Sequence, residues 1–165
     1  MAQSSFSQPF HNKIMPQYDM TSGIILPTDN GILKFKLGNE YESGGAGCIS
    51  TVEDYIKFCE ALRIDDCILK RETVELMSHN RLNQQCLSTY DWETIKDYGY
   101  GLGVRCPLSD GIRSDFGWGG MAGAFLGIDR ENEFSVFYAQ QVVNSPVQKL
   151  RSNLIDFVSD VVRYV

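Results

Sequence analysis

The apolar spacing changes period along this chain, and that change limits the possible folds more than any other feature. Over residues 50–62 the pattern is helical. Val52, Tyr55, Ile56, Cys59 and Leu62 fall on one stripe, with Ser50 placed to cap and Glu53 to reach back to the free amide. A second helix is expected over residues 70–78, with Leu69, Val74 and Met77 inward. From Tyr98 the period becomes two: Tyr100, Leu102 and Val104 alternate with glycines and are followed by Arg105. Strands are expected over 121–128 and 133–140, joined by Asp129-Arg130-Glu131-Asn132. In the second, Phe134, Val136 and Tyr138 share one face and Ser135 and Phe137 the other, so both faces are expected to be covered. A last helix is expected with Ser145 as its cap and Pro146 in its first turn. Val147, Leu150, Leu154, Phe157, Val158 and Val161 line its apolar side. Strands followed by a terminal helix give an antiparallel sheet with flanking helices, an α+β architecture.

The remaining segments are less patterned. Residues 1–20 read as a flexible lead-in, with 21–165 as the folded unit. Residues 23–37 read as a hairpin turning at Asn30-Gly31, a pair that supplies the positive φ of a tight turn. Residues 79–97 read as a polar loop, with short helical turns at most.

Composition narrows the function classes. With 15 basic against 21 acidic residues, the net charge is −6, which argues against nucleic acid or anionic lipid as a partner. No apolar run reaches the roughly 18 residues of a membrane span, and no secretory signal is visible in the first fifteen residues. The five cysteines (Cys48, Cys59, Cys67, Cys86, Cys106) form no C-x-x-C pair, and His11 and His79 are isolated. That argues against a metal site and for free, mostly buried thiols in a reducing compartment. A cytoplasmic chain with no cofactor is the resulting expectation.

Three glycine-rich segments carry what chemistry there is. Gly117-Trp118-Gly119-Gly120-Met121 places glycines where a substrate could lie against a strand and a backbone amide could face an oxyanion. The plain alternative is a bend in a sheet. Ser43-Gly44-Gly45-Ala46-Gly47-Cys48-Ile49-Ser50-Thr51 precedes a helix but matches neither phosphate-binding glycine pattern, so it reads as architecture. Tyr98-Gly99-Tyr100-Gly101-Leu102-Gly103 is the third; its tyrosines, with Trp92, either wall a pocket or pack a sheet. Asp115 and Asp129 are read as turn-formers rather than an acid–base pair.

Together and in this order, the three segments resemble the C-terminal half of the serine β-lactamase superfamily: class C β-lactamases, DD-peptidases and related esterases. The resemblance spans roughly residues 30–163. In the family the third motif is Lys-Thr-Gly or His-Thr-Gly, with Trp-Gly-Gly in some esterases. Trp118, Gly119 and Gly120 therefore correspond to its substrate-binding positions, and the Met121 N–H to an oxyanion-hole donor. Tryptophan in place of a cation weakens recognition of a substrate carboxylate and favours an ester-like substrate. Asp54 matches the acid that follows the glycine run. Two things are missing: no serine has lysine three residues later, and the one formal Tyr-x-Ser match, Tyr41-Glu42-Ser43, abuts the glycine run where the family does not place it.

The resemblance thus implies a partial β-lactamase/transpeptidase-like fold, lacking the N-terminal strands and the nucleophile helix. It implies a C-terminal fragment of a serine hydrolase acting on a β-lactam, peptide or ester, and inactive alone. The alternative is a non-catalytic module that binds a peptide or small ligand on the same scaffold. It further implies that the strand at 133–140 has an open edge. That edge would be completed by dimerisation, by strand exchange or by residues 20–37.

Overall fold

In the computed structural model, described over residues 3–6, 15–28, 44–45, 47–90, 96–146 and 150–164, the alternating region folds into the centre of a sheet. The strands are β1 (Tyr18–Asp19), β2 (Leu26–Pro27), β3 (Tyr98–Tyr100), β4 (Arg105–Pro107), β5 (Phe116–Gly119), β6 (Gly123–Asp129) and β7 (Phe134–Val143). Their order is β2-β1-β7-β6-β5-β4-β3. Neighbours run antiparallel except β1 and β7, which pair in parallel at Tyr18–Val142 and Asp19–Val143. The helices are α1 (Val52–Arg63), α2 (Arg71–Met77), α3 (Gln84–Leu87) and α4 (Arg151–Arg163).

Both faces of β7 are covered, as its alternation requires. Phe137 stacks on Tyr55 of α1 with ring centroids 4.5 Å apart, in a core built from Cys59, Leu62, Val74, Cys106, Phe116 and Ile128. Phe134, with Val136 and Tyr138, packs with Phe125 and with Ile155 and Val158 of α4. The result is three layers, helix–sheet–helix. The β6–β7 connection is tied by Asp129, which accepts from the Asn132 N–H (2.8 Å) and the Ser114 hydroxyl (2.5 Å). Asp129 is the turn-former expected, although it is also fully buried.

Several local expectations shift. The cap of α1 is Thr51, whose Oγ1 accepts from the Asp54 N–H at 3.2 Å; Ser50 instead meets the Ser4 hydroxyl at 2.8 Å. Leu69 precedes the α2 cap, Lys70, and is exposed, while Val74 is buried. The glycine-rich stretch after Tyr98 is two strands rather than one. Gly101 N–H donates to Val104 O (2.9 Å) across a turn with Gly103 at φ +86°, and Leu102 is exposed.

The last helix begins at Arg151, later than expected. Ser145 is buried and accepts from Gln140 Nε2 (3.1 Å), and Val147 lies outside the described residues. The face of α4 that packs is Arg151, Ile155 and Val158, whereas Leu150, Phe157 and Val161 point to solvent. Of the thiols, Cys59 and Cys106 are buried while Cys48, Cys67 and Cys86 are exposed, so most are not interior; all five are free.

The N-terminal segment, read as a flexible lead-in, contains β1 at Tyr18–Asp19 and is further anchored among its first described residues. Ser5 bridges Ile49, and Asp54 accepts from Gln3 N–H (2.6 Å) and the Ser4 hydroxyl (3.2 Å). The Gln3 hydrogen bond, above all, holds the Asp54 carboxyl below its ordinary pKa. The expected turn at Asn30-Gly31 lies outside the described residues; what they show is β1 paired with β2. Along β7, residues 134–141 have β6 on one side and no partner on the other among the described residues.

Candidate active-site strand

β5 presents the tryptophan segment at its C-terminal end. Trp118 pairs with Leu126 and Gly119 with Phe125. The strand then turns: Gly120 N–H donates to Ala124 O (2.7 Å) and Gly123 N–H to Gly120 O (3.1 Å). Gly120–Gly123 is therefore a four-residue turn with Met121 and Ala122 at its apex. Met121, expected to open the next strand, sits in this turn, 59 % exposed.

What fixes the turn is a residue the sequence reading missed. Arg151 is buried at the start of α4, and its Nη2 donates to Gly120 O at 2.7 Å. A Cβ on Gly119 would displace that guanidinium, so glycine there leaves room for the Arg151 contact. Burial away from water, then the nearby Arg105 charge, lower the Arg151 pKa. Among the described residues no peptide bond is cis. In a trans unit the C=O and the following N–H point oppositely. With Gly120 O turned to Arg151, the Met121 N–H is directed away from α4. The one sequence signal for Arg151 was its phase, four residues before Ile155 and seven before Val158.

Trp118 is half-buried and belongs to neither core cluster. Its ring meets Tyr100 edge-on at 5.4 Å, and Tyr100 meets Tyr90 at 6.1 Å, forming an aromatic row along the surface. Burial is the main cause raising the Tyr90 phenol pKa to about 12. The other expected pocket walls separate: Tyr98 is buried and Trp92 lies outside the described residues.

Tyr98 joins a charged cluster beneath the strand. Its hydroxyl donates to Asp115 Oδ1 (2.5 Å), Arg105 Nη1 donates to Asp115 Oδ2 (2.7 Å), and the Arg105 guanidinium lies 4.3 Å from the Tyr98 ring centre. Asp115 and Asp129 do not pair with each other. A Cβ on Gly127 would press on Ile155 and the Asp115 carboxylate, so that glycine makes room for the ion pair.

Two open pockets among the described residues, of about 310 and 450 Å³, lie elsewhere. Arg71, Ser114 and Arg130 line one, and His79, Asn80 and Leu108 the other; neither touches Trp118 or Met121. Among the described residues no three His, Cys, Asp or Glu side chains gather as metal ligands. Among the described residues, no helix is long and apolar enough to cross a membrane.

The family model named Beta-lactamase matches residues 7–158. The chain belongs to the Beta-lactamase family. Solved structures agree on the fold. Simvastatin synthase (LovD) from Aspergillus terreus, as the LovD6 mutant, superposes with a TM-score of 0.79 at 18% identity, covering 99% of this chain and 47% of the other. The unliganded selenomethionyl derivative of the same enzyme gives 0.73 at 18% identity, covering 97% and 46%. The chain thus spans about half the length of these structures. Comparison with curated proteins gave no match. The family assignment accords with the three glycine-rich segments, and the partial coverage with a partial fold.

Proposed function

We propose that this chain supplies one wall of the acyl-transfer cleft of a serine hydrolase whose attacking hydroxyl belongs to polypeptide outside residues 1–165. The observation that carries the reading is the Trp118–Met121 segment: a turn at the end of β5 with Met121 59 % exposed and the preceding Gly120 carbonyl latched by Arg151, which fixes the peptide unit that holds the Met121 amide. Such an amide is suited to an oxyanion, because a fixed donor costs no reorganisation as charge develops.

In this scheme a serine Oγ attacks the substrate carbonyl and the leaving group departs with a proton. Water then cleaves the acyl-enzyme. Trp118 and Tyr100 give the substrate an aromatic, uncharged surface, which favours an ester or a neutral acyl group over a carboxylate-bearing β-lactam. Gly119 and Gly120 let the substrate approach the backbone. No cofactor is required, and the five free thiols support a reducing compartment.

The purified chain is expected to turn over neither nitrocefin nor p-nitrophenyl butyrate. Extended by, or mixed with, encoded polypeptide carrying Ser-x-x-Lys, it is expected to become active. Met121→Pro then removes the amide while suiting the second position of the turn, and lowers kcat about 10²–10³-fold. Turnover by the chain alone refutes the missing nucleophile. An inert extended protein refutes the hydrolase and leaves a binding module that uses the Trp118–Tyr100 surface for a peptide or small ligand.

A further inference from the structure

Three arginines gather where α4 meets the sheet, and two of them have carboxylate partners. Arg105 pairs with Asp115 at 2.7 Å, and Arg113 with Asp156. Among the described residues no carboxylate pairs with Arg151, which is only 7 % exposed and whose Nε is buried without an acceptor. The Arg151 and Arg105 guanidinium carbons lie 5.8 and 4.8 Å from the centre of the same Phe125 ring. An interior cation with a like charge nearby and no counter-ion is costly, and arginine does not escape the cost by losing its proton.

Orienting the turn does not demand that charge. A neutral donor reaching Gly120 O would hold the peptide unit equally well. The turn is also held by Gly120 N–H on Ala124 O (2.7 Å) and by Val142 N–H on Ala122 O (2.8 Å). What a cation adds is polarisation. Resonance couples the C=O and N–H of one peptide unit, and hydrogen bonds linked through it strengthen one another by about 10–30%. A guanidinium on Gly120 O therefore draws electron density from the Met121 N–H. Burial leaves its field weakly screened.

We infer that Arg151 is a positioning residue of the acyl-transfer site that acts through its charge: seated on Gly120 O, it makes the Met121 N–H a stronger donor to the oxyanion. This rests on the hydrolase reading and deepens it. The gain is largest when the substrate oxygen becomes an anion, so it favours the transition state over bound substrate. Gly119 belongs to the same device, since a Cβ there would displace the guanidinium.

Two variants separate charge from contact. Arg151→Gln keeps a hydrogen-bond donor and loses the charge; Arg151→Lys keeps the charge. In the purified chain, hydroxide-catalysed exchange of the Met121 amide is expected to slow at least about threefold in Arg151→Gln, because the N–H becomes less acidic. In Arg151→Lys it is expected to recover. A purely mechanical clasp predicts the opposite sign, since a loosened turn exchanges faster. Should Arg151→Gln misfold, Gly119→Ala moves the cation off the carbonyl and is expected to slow the same amide.

In the extended, active protein Arg151→Gln is expected to lower kcat about ten- to thirtyfold, less than loss of the donor itself, with KM unchanged. Exchange that is unchanged or faster in the variants overturns the inference. So does a lysine variant that behaves like the glutamine one, or an active extended protein whose kcat ignores Arg151→Gln. An extended protein that is inert with Arg151 in place refutes the hydrolase reading, and this role with it.

Discussion

Asp115 has no solvent contact, and its two carboxylate oxygens are taken by the Tyr98 hydroxyl and the Arg105 guanidinium. Removing one member of a buried ion pair strands the other charge, at a cost of about 3–5 kcal/mol. Asp115→Ala is therefore expected to lose that much stability in urea denaturation. Replacing Arg105 and Asp115 together by apolar residues should cost less than this single change. Little of this was legible in the sequence. Asp115 looks like a turn carboxylate, and Arg105, ten residues earlier, like the end of a strand. Their meeting depends on Arg105 lying opposite Gly117 in the sheet and on the space left by Gly127. Arg151 was hidden for the same reason, since its partner is a backbone carbonyl thirty-one residues away. Trp118 and the glycines beside it, by contrast, stand out in the sequence because they form a contiguous local motif.

For single elements, a pattern revealed type well and phase poorly. The helical stripe at 52–62 and the alternation at 134–138 each describe the element that forms. Their ends are settled by competition. Ser50 and Thr51 both suit a cap, and the Ser4 contact draws Ser50 away, leaving Thr51 to receive the Asp54 amide. Thr51→Ala is accordingly expected to cost about 1 kcal/mol in thermal or urea unfolding, and Ser50→Ala measurably less. On α4 the apolar residues outnumber those the sheet can cover. The most hydrophobic side was therefore expected inward, whereas Arg151 and Ile155 set the actual phase. That surplus of exposed apolar side chains is what a buried helix side looks like without its neighbour.

At the scale of the whole molecule, helices sandwich the sheet, and each layer holds one of the two buried clusters. Thiol reactivity reports on this arrangement. Burial raises both interior thiols to a pKa of about 11, and thiolate is the reacting form. Native protein is expected to titrate three cysteines quickly with a disulfide reagent (Cys48, Cys67 and Cys86), and Cys59 and Cys106 only after denaturation. Fast reaction of all five in buffer would mean the α1–sheet layer is open. Fold class was readable from periodicity, but the parallel docking of β1 on β7 was not, because a two-residue strand has no period to read.

The grip of Arg151 on Gly120 carries a consequence for biogenesis. A ribosome releases this arginine thirty-one residues after Gly120, so the turn bearing Met121 stays unset until α4 has emerged and docked. Chains cut short before position 151 would keep the glycine-rich signature yet lack the clasp that gives it shape.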